Sequence, residues 1–83
     1  MATLIKTDGS EETQYECRGL TSKQDAVGGL IEIVRLQEPE GYVLVVNEEG
    51  LIQDLPHNEL ASHLAGHYIA GNALMMRNEE LDM

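Results

Sequence analysis

The feature that most constrains this chain is a short apolar run, Tyr42–Asn47, reading YVLVVN. Three of its residues, Val43, Val45 and Val46, are β-branched, and such side chains favour the pleated surface of a sheet. The run is punctuated at both ends. QEPEG at 37–41 precedes it, where Pro39 and Gly41 break regular structure, and NEEG follows at 47–50, with Asn first and Gly fourth as a type I turn prefers. A strand needs a partner, and the segment LIEIVRL at 30–36 offers one. The connection between them is short enough to predict an antiparallel hairpin. In 30–36, Leu30, Glu32, Val34 and Leu36 share one side, and Ile31, Ile33 and Arg35 the other. Neither side is purely polar, which predicts an interior strand with one partly covered face rather than an edge strand.

The remaining elements assemble around that hairpin. Residues 3–7 and 13–17 read as two strands joined through Asp8-Gly9, a strong turn signal. Thr21 or Ser22 is a candidate N-cap for a short helix with Leu20, Gln24 and Val27 near one face. Gly28-Gly29 would end that helix by accepting a left-handed conformation. After NEEG, residues 51–53 read as a short return strand that Leu55-Pro56 breaks. Asn58 is a plausible N-cap for a second helix over 59–65, with Leu60, Leu64 and Ala61 inward and Gly66 as its stop. Strand character returns over 68–76, with Gly71-Asn72 as a bulge or close approach. The expected fold is α+β: a small, mostly antiparallel sheet of about five to six strands in the order ββαβββαβ, with two short helices. Residues 1–77 form a single domain, and 78–83 an acidic, frayed tail.

Eighty-three residues suffice for one domain that buries about 60% of its unfolded surface. With three Tyr and no Phe or Trp, the core must be aliphatic. Fifteen acidic residues against five basic ones give a net charge of −10. That field repels nucleic acid, whose binding rests on Lys and Arg, and steers the chain toward a basic surface. Solubility alone is the competing explanation of the charge. A single cysteine, Cys17, excludes an internal disulfide, and with no signal-like or long apolar run the chain reads as soluble and cytoplasmic. The longest uncharged stretch, 60–76, carries His63, His67, Asn72 and two glycines and is too polar and short to span a membrane.

Few side chains point to chemistry. Glu48 and Glu49 are adjacent on a turn, so their carboxylates diverge, whereas paired-carboxylate catalysis needs both facing one bond. Asn47 is expected to bond its own turn backbone. LPHN at 55–58 sets up a helix N-terminus that could attract an anion beside His57, although no glycine-rich phosphate loop accompanies it. His63 and His67 stand four apart, but Gly66 is expected to end the helix between them, so no metal is expected. Cys17 has no CxxC neighbour and reads as a structural thiol. The glycines of VGGLIEIV precede a strand rather than follow one, so they do not form a dinucleotide fingerprint. Glu32, in the middle of an apolar strand, should face solvent, pair with Arg35 or Arg18, or meet a partner.

Four motifs occur in order along nearly the whole chain: VGGLIEIV at 27–34, NEEG at 47–50, LPHN at 55–58, and Gly71-Asn72 within IAGNALMM. In these the chain resembles the DUF3846 family of small phage, plasmid and bacterial mobile-element proteins. It departs from that pattern at Leu30, where the family often has an aromatic residue. The resemblance implies an accessory protein of a virus or plasmid and names no activity.

No nucleophile–base pair, metal cluster or cofactor loop emerges, so catalysis and cofactors are not expected. The expectation is a non-catalytic protein whose acidic face inhibits a basic host protein of defence or nucleic-acid handling, with Glu11, Glu12, Glu16, Glu32, Glu38, Glu40, Glu48, Glu49 and Asp54 as the face, spaced as in a DNA mimic. A second possibility is an oligomeric binder of a small nucleotide signal, with His57, Asn58, Gly71, Asn72 and Arg77 at its site. A third is a homodimer paired through a free strand edge.

Overall fold

The structure, a computed structural model, describes residues 2–81. Its elements are β1 (Ala2–Ile5), β2 (Glu11–Tyr15), α1 (Gly19–Val27), β3 (Ile31–Arg35), β4 (Tyr42–Asn47), α2 (Glu59–Ala65) and β5 (Ala73–Arg77), followed by a 3-10 turn over Asn78–Glu80. The strands form one antiparallel sheet in the order β2-β1-β5-β4-β3. This is the small α+β fold that the sequence predicts, with five strands.

Strand β4 is the spine. Val43, Leu44, Val45 and Val46 are all buried. Because side chains alternate across a strand, they feed two cores. Leu44 and Val46 join Ile5, Leu36, Ile69 and Ala73 under α2, which contributes Ala61, Leu64 and Ala65. Val43 and Val45 join Ala2, Leu4, Leu74 and Met76 on the opposite face, where α1 contributes Ala26 and β3 contributes Ile31 and Ile33. Burial of each large aliphatic side chain stabilises the fold by about 1.5–3 kcal/mol. A sheet covered on both faces explains how an 83-residue chain with no Phe or Trp builds a core.

Several boundaries differ from expectation for identifiable reasons. Segment 30–36 is an edge strand, not an interior one. Its two apolar sides reflect helices on both faces of the sheet, whereas edge position is a property of the main chain that side-chain alternation does not encode. Glu48 N–H donates to Leu30 O at 2.8 Å and Leu36 N–H to Tyr42 O at 3.0 Å, so even-numbered residues turn their main chain toward β4. Ile31, Ile33 and Arg35 therefore turn theirs outward. Residues 51–53 form turns instead of a sixth strand. The first hairpin pairs Ala2 with Tyr15 and Leu4 with Glu12, leaving a bulge at which Gln14 adopts φ 58°. Helix α1 begins at Gly19, earlier than Thr21 or Ser22 would start it, and its N-cap, Arg18, makes no side-chain cap bond. Within this helix Leu20 faces outward and Lys23 is completely buried, its Nζ 3.3 Å from Gly19 O. The tail also departs from expectation over 78–81: Asn78 N–H donates to Gly41 O at 2.7 Å, Arg35 Nη1 donates to Asn78 Oδ1 at 2.6 Å, and Leu81 packs on the α1-side core. The rest of the expected frayed tail, 82–83, lies outside the described residues.

Candidate functional site

The region between β4 and α2 contains the polar motifs singled out in the sequence, and two of its asparagines are consumed by the fold. Asn58 caps α2 by accepting the Ala61 N–H at 3.1 Å, and its Nδ2 donates to Ile5 O at 2.9 Å and Gly71 O at 3.0 Å. One buried amide thus ties the end of β1, the start of α2 and the approach to β5. Asn47 accepts the Glu49 N–H at 2.7 Å, the turn bond expected of it, and its Nδ2 donates to Val27 O at 3.2 Å and Gln53 Oε1 at 3.1 Å. The glycines of both motifs are also packing positions. A Cβ on Gly50 would lie 2.6 Å from Ala70 O, and one on Gly71, already at φ 91°, would lie 2.8 Å from Leu55 Cδ1.

The loop between these asparagines is a stack of turns. Gly50 N–H reaches Asn47 O (3.2 Å), Gln53 N–H reaches Glu49 O (2.9 Å), Asp54 N–H reaches Leu51 O (3.1 Å) and Leu55 N–H reaches Gly50 O (3.0 Å). This internally bonded loop holds Leu51 and Ile52 outward, 70% and 83% exposed. They border a groove of about 360 Å³ whose other walls include Glu32, Glu48, His67 and Tyr68, the last 51% exposed. Tyr68 is itself braced, its ring stacked on His57 at 4.5 Å between centroids and 10° between planes.

His57 Nε2 lies 3.1 Å from Ser62 Oγ, a contact the sequence reading missed because the two residues are five apart across a helix start. It does not resemble a catalytic dyad. Ser62 Oγ already accepts the Ile69 N–H at 2.7 Å and lies 3.3 Å from Ile69 O, so the hydroxyl braces α2 against the segment leading to β5. Gly66 ends α2 in a left-handed conformation, which leaves His67 off the helix that carries His63. Among the described residues no group of three or more His, Cys, Asp or Glu is arranged to hold a metal ion. Cys17 is half-buried against the α1-side core.

The proposed small-ligand set is only partly brought together. His57, Asn58, Gly71 and Asn72 cluster near the start of α2, but Asn58 is buried and fully bonded, Gly71 is buried, and Asn72 Oδ1 accepts the Thr7 N–H at 3.2 Å. Arg77 lies at the far end of β5, about 13 Å from Ala73 by strand rise. There it contacts Glu79 at 3.3 Å and lies 5.7 Å above the Tyr42 ring. The Glu79 carboxylate, with a smaller contribution from Tyr42, holds the Arg77 guanidinium above its ordinary pKa.

The nine carboxylates assigned to one acidic face fall into separate groups. Glu11 and Glu12 lie on β2 and Glu16 just beyond it, while Glu32 lies on β3, at the opposite edge of the sheet. Four strand spacings, roughly 19 Å, separate those edges. Glu38 and Glu40 occupy the β3–β4 loop, and Glu48, Glu49 and Asp54 the loop after β4. All nine are exposed except Glu49, which is half-buried. None of the described carboxylates is buried. Of the cations, Lys23 is buried, and Lys6 and Arg77 pair with Glu12 at 3.9 Å and Glu79 at 3.3 Å.

Among the described residues no helix is long and apolar enough to cross a membrane. Neither the curated proteins nor the solved structures contain a significant match to this chain. A family model described as a domain of unknown function, DUF3846, matches residues 1–82, essentially the whole chain, and the chain belongs to that family.

Proposed function

We propose that this protein acts by binding and not by catalysis: it is an acidic accessory protein of a phage or plasmid that inhibits a basic host protein engaged in defence or nucleic-acid handling. One observation carries the reading. The chain carries a net charge of −10 and none of its described carboxylates is buried, while one of the five cations is buried and two more are matched by carboxylates. A field of that sign accelerates encounter with a cationic surface and repels phosphate. The separation of the acidic groups among the two sheet edges and two loops favours contact with a basic protein patch over imitation of one continuous duplex backbone.

The test is affinity capture from a bacterial lysate with the immobilised chain at low and high salt. Basic proteins should be retained at low salt and released as salt rises, because exposed charge pairs are screened. Retention with no bias toward basic proteins, or retention indifferent to salt, would contradict the reading.

A further inference from the structure

The groove beside β3 combines two properties that charge alone does not require. Leu51 and Ile52 are held in solvent by a loop whose main chain is bonded to itself and anchored at Asn47 and Gly50. Exposed aliphatic side chains on so rigid a support lose little further freedom when a partner covers them, which is the property of a preorganised binding anchor. The groove they border with Tyr68 is walled by Glu32 and Glu48, and among the described residues no Lys or Arg lines it. Scattered exposed apolar residues are ordinary on protein surfaces. Here three of them converge on one concavity with carboxylates at its margin.

We infer that this groove docks a protein segment in which apolar residues alternate with Lys or Arg, the apolar side chains covering Leu51, Ile52 and Tyr68 and the cations meeting Glu32 and Glu48. Charge complementarity selects this occupant. A second copy of the chain would bring like charge to the groove, and a nucleic acid would bring phosphates to its carboxylates. The inference rests on the reading of the protein as an acidic binder and adds a location and an apolar requirement to it.

The test uses two synthetic probes, a short peptide alternating lysine with leucine and an oligolysine of equal charge, titrated by fluorescence anisotropy at low salt against the full chain and its Leu51→Ser/Ile52→Ser variant. Both substituted positions are exposed, so the variant should fold, and circular dichroism checks that it does. The lysine–leucine peptide should bind the unaltered chain about tenfold or more tightly than oligolysine, as covering a large aliphatic side chain allows, and the variant should erase that difference. Glu32→Gln/Glu48→Gln should weaken the lysine–leucine peptide and flatten its salt dependence while leaving the fold intact. Equal binding of both peptides to both proteins would overturn the groove and leave the charge reading standing. Failure of both peptides to bind at low salt would overturn both readings. Dimerisation in light scattering that the Leu51→Ser/Ile52→Ser variant abolishes would assign the groove to a second copy and overturn the proposal.

Discussion

Asn47 and Asn58 bracket a short loop in sequence and are both buried, whereas Leu51 and Ile52 between them are exposed. The usual partition is inverted: the polar residues are inside and the apolar ones outside. Each asparagine is bonded to neighbouring main-chain groups, and Asn47 also to the Gln53 side chain, so its burial leaves no buried polar side-chain atom without a partner among the described residues. Leu51 and Ile52 receive no such return from the fold. Polar side chains here hold the architecture, and the apolar pair is available for contact. Polarity alone would have assigned those roles the other way round.

Substitutions at the two kinds of position should separate accordingly. The largest effect is expected at Asn58→Ala. It removes the α2 cap and leaves the Ile5 and Gly71 carbonyls without their donor, a loss of about 3 kcal/mol and about 12 °C or more in thermal midpoint by calorimetry. A midpoint unchanged in Asn58→Ala would break the assignment of this residue to structure. Gly50→Ala comes next. Its added Cβ meets the Ala70 main-chain oxygen, which cannot swing aside as a side chain can, and overpacking should lower stability by about 1–3 kcal/mol in urea unfolding. Asn47→Ala should follow at about 1–2 kcal/mol, since Gln53 and Glu49 retain access to water while Val27 O loses a buried donor. By contrast, Leu51→Ser/Ile52→Ser should change unfolding free energy by no more than about 0.5 kcal/mol per site, because neither side chain packs on a core. A larger loss would mean that the loop stabilises the fold.

The smallest effect concerns the exposed tip of the β1–β2 turn. The Ser10 hydroxyl, at 2.6 Å, and the Ser10 amide, at 2.9 Å, hold the Asp8 carboxyl below the ordinary aspartate range. A depressed folded value means that its contribution is present above the unfolded value of about pH 4 and is lost as pH falls through the folded one. Ser10→Ala should raise the Asp8 midpoint in an NMR titration toward the ordinary value without a measurable change in thermal stability, since the group is fully exposed.

Much of the architecture was legible because it rests on local rules. The valines of β4, the cap at Asn58 and the left-handed glycines 28 and 66 each obey a backbone preference visible in a few adjacent residues. Features set by distant parts of the chain were not. The apolar alternation of β3 reports two covered faces and is silent about which strand lies beside it, so its edge position was misread. Leu51-Ile52-Gln53 has strand-like composition, yet main-chain bonds from Gln53 to Glu49 and from Leu55 to Gly50 close turns before any ladder can form. Helix α1 starts early, at Gly19, where no capping residue announces it, and the burial of Lys23 depends on what packs around the helix. The acidic residues were legible as charge but not as geography, because β2 and β3 become opposite edges only when β5 inserts between β1 and β4.

The central claim is that binding is directed by surface charge and anchored at the Leu51–Ile52 loop. Amide chemical-shift mapping of the labelled chain, titrated with the lysine–leucine peptide, tests it most directly. The account predicts shifts concentrated at Glu32, at 48–52 and at 67–69, with β2 silent. Shifts centred on Glu11, Glu12 and Glu16, or spread evenly over every carboxylate-bearing segment, would contradict it.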